Sequence, residues 1–214
     1  MDIKQLKNIY PDGINFLLTG VGGQGTILAS NVLADLGMAL GFDVKKAEIH
    51  GMSQRGGNVI SYIRWGEHVY SPIITKGEAD IILAFEKLEA LRSIEQIKSD
   101  GMILINDYAI VPVTVSSGTS EYPDDETIQE RLQKFTSNTY WVKGQDIAEE
   151  IGYPKASNVV LLGALTSLLE IDPKEVLRVI ATRIPHKYFA FNEQAFDAGY
   201  FCVFNDQIFI HHCQ

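Results

Sequence analysis

Residues 14–29 read INFLLTGVGGQGTILA. An apolar run, a turn dense in glycine and the apolar opening of a helix follow one another without a break. Gly20, Gly22 and Gly25 satisfy G-x-G-x-x-G, with Gly23 as an additional glycine. Glycine suits such a turn because it tolerates positive φ and lets a backbone or a ligand approach closely. A helix starting at Gln24 or Thr26 aims unpaired N–H groups and the positive end of its dipole out of the turn, an arrangement that suits phosphate or another anion. On its own the pattern is weak evidence for a dinucleotide.

Outward from the turn, apolar residues at helical spacing predict a helix over 27–40, stopped by Gly41. Residues 42–48 read as a second strand ending at Glu48, which completes a βαβ unit of the Rossmann kind. In a dinucleotide-binding protein Glu48 is the candidate for the ribose hydroxyls; the plain alternative is a solvated carboxylate at a strand end. A second glycine-rich segment, HGMSQRGG over 50–57, comes next. Period-two alternation then predicts a strand over 59–65, a turn at Gly66 and Glu67, and a return strand over 68–71, closed by Pro72.

Parallel-type architecture resumes beyond it. Strands are expected at 79–85, 102–106 and 140–142, and helices at 86–99 (stopped by Gly101), 124–135 and 145–151. Residues 111–120 read as irregular or as a strand edge. Residues 158–169, apolar nearly all round, form a buried core helix too short to span a bilayer. Asp172 and Pro173 open a further helix to Arg183 with an N-cap and a first-turn proline. Helix continues over 192–198 beyond Pro185, and the aromatic tail 200–214 is β-prone and suited to pairing on a sheet edge. The expected fold is a three-layer α/β/α, Rossmann-like, mostly parallel sheet with an inserted antiparallel hairpin, in one domain spanning 1–214.

The composition narrows the function classes. The 214 residues carry 27 acidic against 18 basic side chains, a net charge of −9. That balance argues against nucleic acid as the main partner, because neutralising phosphates needs clustered Lys and Arg. No apolar run is long enough for a membrane span, and the start has no signal-peptide core, so a cytoplasmic location is expected. The chain has 2 cysteines, Cys202 and Cys213, expected as reduced thiols. A four-iron cluster takes four cysteine thiolates, so this chain cannot hold one alone. His211, His212 and Cys213 are adjacent on a terminal tail and have no spaced partner, so no metal site is assigned. The glycine turn is not a Walker A loop, and neither G-x-S-x-G nor H-E-x-x-H occurs. No residue is assigned a catalytic role. In the second loop, Ser53, Gln54 and Arg55 stand among glycines. Arg55 offers a fork of donors to a carboxylate or phosphate, or pairs with an internal acid as a structural residue.

The combination is more specific than either loop. Gly20-Val21-Gly22-Gly23-Gln24-Gly25, Glu48 to Gly57, Tyr70-Ser71-Pro72 with Gly77-Glu78-Ala79-Asp80, and Asn158 to Ala164 together resemble the gamma-type domain of 2-oxoacid:ferredoxin oxidoreductases, most of all the beta subunits of the indolepyruvate branch. The likeness runs over about 14–199 and leaves the tail 200–214 outside. It implies oxidative decarboxylation of a 2-oxoacid to an acyl-CoA with reduction of ferredoxin. It also implies a large alpha subunit that carries thiamine diphosphate and [4Fe-4S] clusters. This sequence has neither a Gly-Asp-Gly thiamine diphosphate signature nor four cysteines, so the resemblance points to an accessory subunit. Its loops are expected either to contact the phosphates of coenzyme A at the subunit interface or to shape that interface beside the partner's active site. The candidate contact set is Gly20, Gly22, Gly23, Gln24, Gly25 and Thr26; Glu48, His50, Ser53, Gln54, Arg55, Gly56 and Gly57; and Asn158. Two alternatives stay open: a stand-alone Rossmann-type oxidoreductase using NAD or FAD, and a non-catalytic binding or assembly module.

Overall fold

The computed structural model describes residues 6, 9–51, 57–118, 121–203 and 209–210. Its strands are β1 (Ile14–Val21), β2 (Asp43–His50), β3 (Asn58–Gly66), β4 (Ala79–Ala84), β5 (Ile97–Asn106), β6 (Thr139–Val142) and β7 (Phe209–Ile210). They form one sheet in the order β2-β3-β1-β4-β5-β6-β7. β1, β4, β5 and β6 are parallel neighbours. β3 runs antiparallel to both β1 and β2, so β2 points the same way as β1. The sheet is therefore mostly parallel, with β3 and β7 reversed.

β1 is apolar along its length because both of its faces are covered. Phe16 and Leu18 point into one core and Leu17 into the other. The first core lies under α1 (Thr26–Ala39), α6 (Ser157–Leu168), α7 (Pro173–Arg183) and α8 (His186–Cys202), with α5 (Gly144–Glu150) at its margin. The second lies under α2 (Lys87–Ser93) and α4 (Asp125–Gln133). α3 (Val113–Ser116) is a single turn. This is the expected three-layer α/β/α arrangement. α6 is buried on every side, which accounts for its lack of a polar face. It can lie against α8 because glycines meet there. A Cβ at Gly163 would stand 2.1 Å from the Phe196 carbonyl oxygen, and one at Gly199 would stand 1.9 Å from that of Val160. Trp65, at the end of β3, wedges against Gly37 of α1 and packs on Phe16 and Phe42 at ring separations of 4.7 and 5.6 Å.

Several expectations need correcting. The hairpin partner of β3 is β2, and residues 68–71 form no strand. Both edges of β3 are already taken, by β1 and β2, so a return strand there would have nothing to pair with. The segment instead runs as a loop tied to the sheet. The Arg64 guanidinium donates to Asn15 Oδ1 at 2.9 Å and to the Ile73 carbonyl at 3.2 Å, and Asp43 accepts the Val69 N–H at 2.8 Å. For the same reason the opening is not a plain βαβ unit: β3 lies between β1 and β2. The expected helix over 86–99 ends at Ser93, a 3-10 turn follows, and β5 begins at Ile97. Gly101 stops no helix. It lies buried inside β5, where the register against β4 shifts and a Cβ would press on Ile97 and on the Ala79 carbonyl. α8 starts directly after Pro185 and extends to Cys202, taking the first residues of the tail into helix, and Phe209–Ile210 then pairs antiparallel with β6.

Candidate functional site

The first glycine turn joins β1 to α1 at the carboxyl edge of the sheet, where open α/β sheets bind ligands. Its shape is fixed from inside. Gln24 Oε1 accepts the Val21 N–H and its Nε2 donates to the Phe85 carbonyl, each at 2.7 Å. Gln24 therefore braces the turn with both ends of its amide. Gly20 is tightly enclosed, since a Cβ there would meet Gln24 Oε1 at 2.9 Å and Thr26 Oγ1 at 3.0 Å. Gly25 is the N-cap of α1 at φ 80, with no side chain capping the helix. Its own carbonyl accepts from the Ala29 N–H at 3.0 Å and from Asn158 Nδ2 at 3.3 Å. A Cβ at Gly25 would lie 2.1 Å from that same Nδ2, so glycine is required twice over.

The first-turn N–H groups of α1 face outward, with no intrahelical acceptor. They open on a cleft of about 370 Å³ lined by Val21, Gly22, Gly23, Gly25, Thr26, Ile27 and Val59. Two side-chain oxygens here are buried without a partner among the described residues: Thr26 Oγ1, on a residue 3 % exposed, and Asn158 Oδ1, on a residue 2 % exposed. A buried polar atom left unpaired costs about 1–3 kcal/mol. Two of them around a helix start that lacks a side-chain cap are hydrogen-bonding capacity that a polar group could use.

The second glycine segment reaches the same place. It connects β2 to β3, and β3 pairs with β1 so that Asn58 lies opposite Val21. The Gly22 N–H donates to the Gly57 carbonyl at 3.0 Å, which joins the two loops directly, and the Gly51 N–H donates to the Asn58 carbonyl at 2.8 Å. Ser53, Gln54, Arg55 and Gly56 lie outside the described residues, as does the side chain of His50. Glu48 stands apart from the cleft. Its Oε1 accepts from Lys46 Nζ at 2.7 Å and lies 3.3 Å from Ser30 Oγ, a turn into α1. β3 separates it from β1 by an extra strand spacing, about 5 Å.

A group of residues that the sequence did not single out lies beside the turn. Glu86 and Glu89 are each 1 % exposed. Glu86 Oε2 caps α2 through the Glu89 N–H at 2.9 Å, and its Oε1 accepts from the Ile110 N–H at 3.1 Å and from the Tyr122 hydroxyl. Glu89 accepts from Asn58 Nδ2 and from Arg92. Burial pushes the Glu89 carboxyl above the usual range against the pull of Arg92, and burial together with Glu86 pushes the Tyr122 hydroxyl up. A cavity of about 90 Å³ lies among Val21, Glu86, Leu88, Glu89, Ile110 and neighbours. The sequence signal was present in Glu-Lys-Leu-Glu immediately after a buried strand: acids at the carboxyl edge of a sheet are not on an ordinary solvated helix face.

Among the described residues no group of His, Cys, Asp and Glu is arranged to hold a metal, and no helix is long and apolar enough to cross a membrane. His211, His212 and Cys213 lie outside them. Cys202 is a free, buried thiol, pushed up to about 11 by burial.

The family described as pyruvate ferredoxin/flavodoxin oxidoreductase matches residues 15–202. The chain belongs to this family. Among its members, the indolepyruvate oxidoreductase subunit IorB of Pyrococcus horikoshii is 40 % identical over 188 residues, 86 % of this chain and 93 % of that protein. The IorB subunit of Thermococcus kodakarensis is 38 % identical over the same length. The fold of the family is seen in the pyruvate oxidoreductase subunit PORC of Thermotoga maritima, with a TM-score of 0.65 at 21 % identity over 88 % of this chain and 96 % of that one. The 2-oxoglutarate:ferredoxin oxidoreductase of Magnetococcus marinus matches with a TM-score of 0.67 at 20 % identity, covering 88 % of this chain but 30 % of that one. The fold thus occurs both as a separate chain and as part of a longer one.

Proposed function

We propose that this chain is the small accessory subunit of a 2-oxoacid:ferredoxin oxidoreductase that converts indolepyruvate or a related aryl 2-oxoacid, with coenzyme A, into the acyl-CoA, carbon dioxide and reduced ferredoxin. The observation that carries the reading is a cleft at the first glycine turn, tied to the second glycine segment through the Gly22–Gly57 bond, in a chain 40 % identical to an indolepyruvate oxidoreductase subunit.

Thiamine diphosphate and iron–sulfur clusters supply the carbanion stabilisation and the electron path in this chemistry. The donor set of this chain does not fit either group, since it has 2 cysteines and no Gly-Asp-Gly. Both groups therefore belong to a large partner subunit. The work left to this chain is positional. The uncapped N–H groups of α1 and the buried Thr26 hydroxyl are donors and suit a phosphate of coenzyme A, whereas Asn158 Oδ1 only accepts and suits a donor group of the guest. Exposed Ile27, Ile49, Tyr108 and Val111 add apolar surface at the same edge of the sheet, as expected of a face covered by a partner. Against a stand-alone NAD or FAD enzyme stands the inserted β3, which moves Glu48 away from the glycine turn.

Native mass spectrometry of the chain expressed with its large subunit tests the assembly, and isothermal titration with coenzyme A and with NAD tests the ligand. A heteromeric iron–sulfur complex that takes up coenzyme A is expected. An active NAD-dependent monomer that ignores coenzyme A would overturn the reading.

A further inference from the structure

We infer that Asn58 and Glu89 are positioning residues for the glycine cleft, a clamp that ties the base of the β2–β3 connection to α2 and thereby holds the Gly22 amide in place. The inference rests on the accessory-subunit reading only for its consequence in turnover; the clamp itself is a property of the chain.

Its geometry is a short relay. Glu89, on α2, accepts from Asn58 Nδ2, at the first residue of β3. One residue back, the Gly57 carbonyl accepts from the Gly22 N–H at 3.0 Å, and Gly22 lines the cleft. Across the base of the connection, the Asn58 carbonyl accepts from the Gly51 N–H at 2.8 Å. Asn58 thus uses its main chain to close the connection and its side chain to anchor it. The anchor is well held. Glu89 Oε1 is occupied by Arg92, and its helix is capped by Glu86, which also binds the Ile110 N–H and the Tyr122 hydroxyl. A carboxylate buried at this depth is costly unless its oxygens are bonded. Its charge-assisted bond to Asn58 is correspondingly strong and directional.

The roles in this pair can be reversed. Asn58→Asp sets two carboxylates against each other and releases the clamp. Asn58→Asp combined with Glu89→Gln restores it with the opposite polarity: the amide now on α2 donates its N–H to the carboxylate now on β3, and still offers its oxygen to Arg92. A role in which Glu89 merely filled space or held Arg92 would gain nothing from that reversal.

In the complex with the large subunit, Asn58→Asp should lower turnover with 2-oxoacid by about 10- to 100-fold, the scale of a small misplacement in a reaction site, and the double variant should return to within about threefold of the parent. Hydrogen exchange on the isolated chain reads the clamp without the complex. The Gly22 amide should exchange faster in Asn58→Asp and recover in the double variant, while amides of β4 and β5 stay protected. Asn58→Ser carries the same comparison of Gly22 with β4 and β5 should Asn58→Asp not fold. A double variant no better than Asn58→Asp, or unchanged Gly22 exchange in every variant, overturns the clamp. Exchange that follows the pattern while turnover does not would leave the clamp standing and overturn the use of the cleft in the reaction.

Discussion

Glycines do opposite work in two regions of this chain. In the turn before α1, Gly23 and Gly25 are needed for a backbone that side chains resist, at φ of 103 and 80. Between α6 and α8, Gly163 and Gly199 lie in ordinary helix, and what they provide is absence of bulk against a neighbouring carbonyl. The first region is open and holds polar atoms without partners among the described residues; the second is closed, backbone against backbone. The difference separates a glycine chosen for its backbone from a glycine chosen for its lack of a side chain.

The comparison can be broken at four points, in falling order of effect on stability. Gly199→Ala should be the most damaging. Its Cβ would meet the Val160 carbonyl at 1.9 Å, and overpacking against backbone in a filled core should cost about 3 kcal/mol or more. Denaturant unfolding, or loss of soluble protein, checks it. Gly25→Ala should cost about 2 kcal/mol, from left-handed strain plus displacement of Asn158. Gly23→Ala isolates the strain, because nothing lies within 4 Å of its added Cβ; about 1 kcal/mol is expected. If Gly23→Ala proves worse than Gly199→Ala, the division between the two regions fails. Thr26→Val should be the one change of the four that does not destabilise, and it should raise the unfolding free energy by up to about 1 kcal/mol, since the hydroxyl it removes is buried and unpaired among the described residues. It should nevertheless reduce turnover of the assembled complex, measured as ferredoxin reduction. A variant that keeps its stability and loses activity marks the edge prepared for a ligand; a variant that keeps both assigns Thr26 to packing alone.

How much of this could be read in advance follows from how local each cause is. β1, α1 and the stop at Gly41 follow from patterns within one element, as does the Asp172–Pro173 start. The place of β3 does not, because its period-two alternation is equally satisfied beside β1, beside β2 or in a hairpin with 68–71. Only the occupation of both its edges decides. Gly101 misleads for a similar reason: glycine between an apolar helix-like run and a strand reads as a stop, whereas the Ala79 carbonyl behind it requires a strand residue without a side chain. At the site, the glycine turn and Asn158 were legible as motifs. Glu86 and Glu89 had only the indirect signal of following a buried strand, and their burial comes from Tyr122, Ile110 and Asn58, which are distant in sequence and close over them only in the fold.

The bond from Asn158 to the Gly25 carbonyl spans 133 residues. At a synthesis rate of roughly 5–20 residues per second, Asn158 emerges about 7 to 27 s after Gly25. The amino-terminal strands are out long before the helix that steadies the glycine turn, so a growing chain carries an unfinished pocket through most of its translation. A message truncated before residue 158 would therefore yield the amino-terminal strands and their glycine turn without the bond from Asn158 that closes on Gly25.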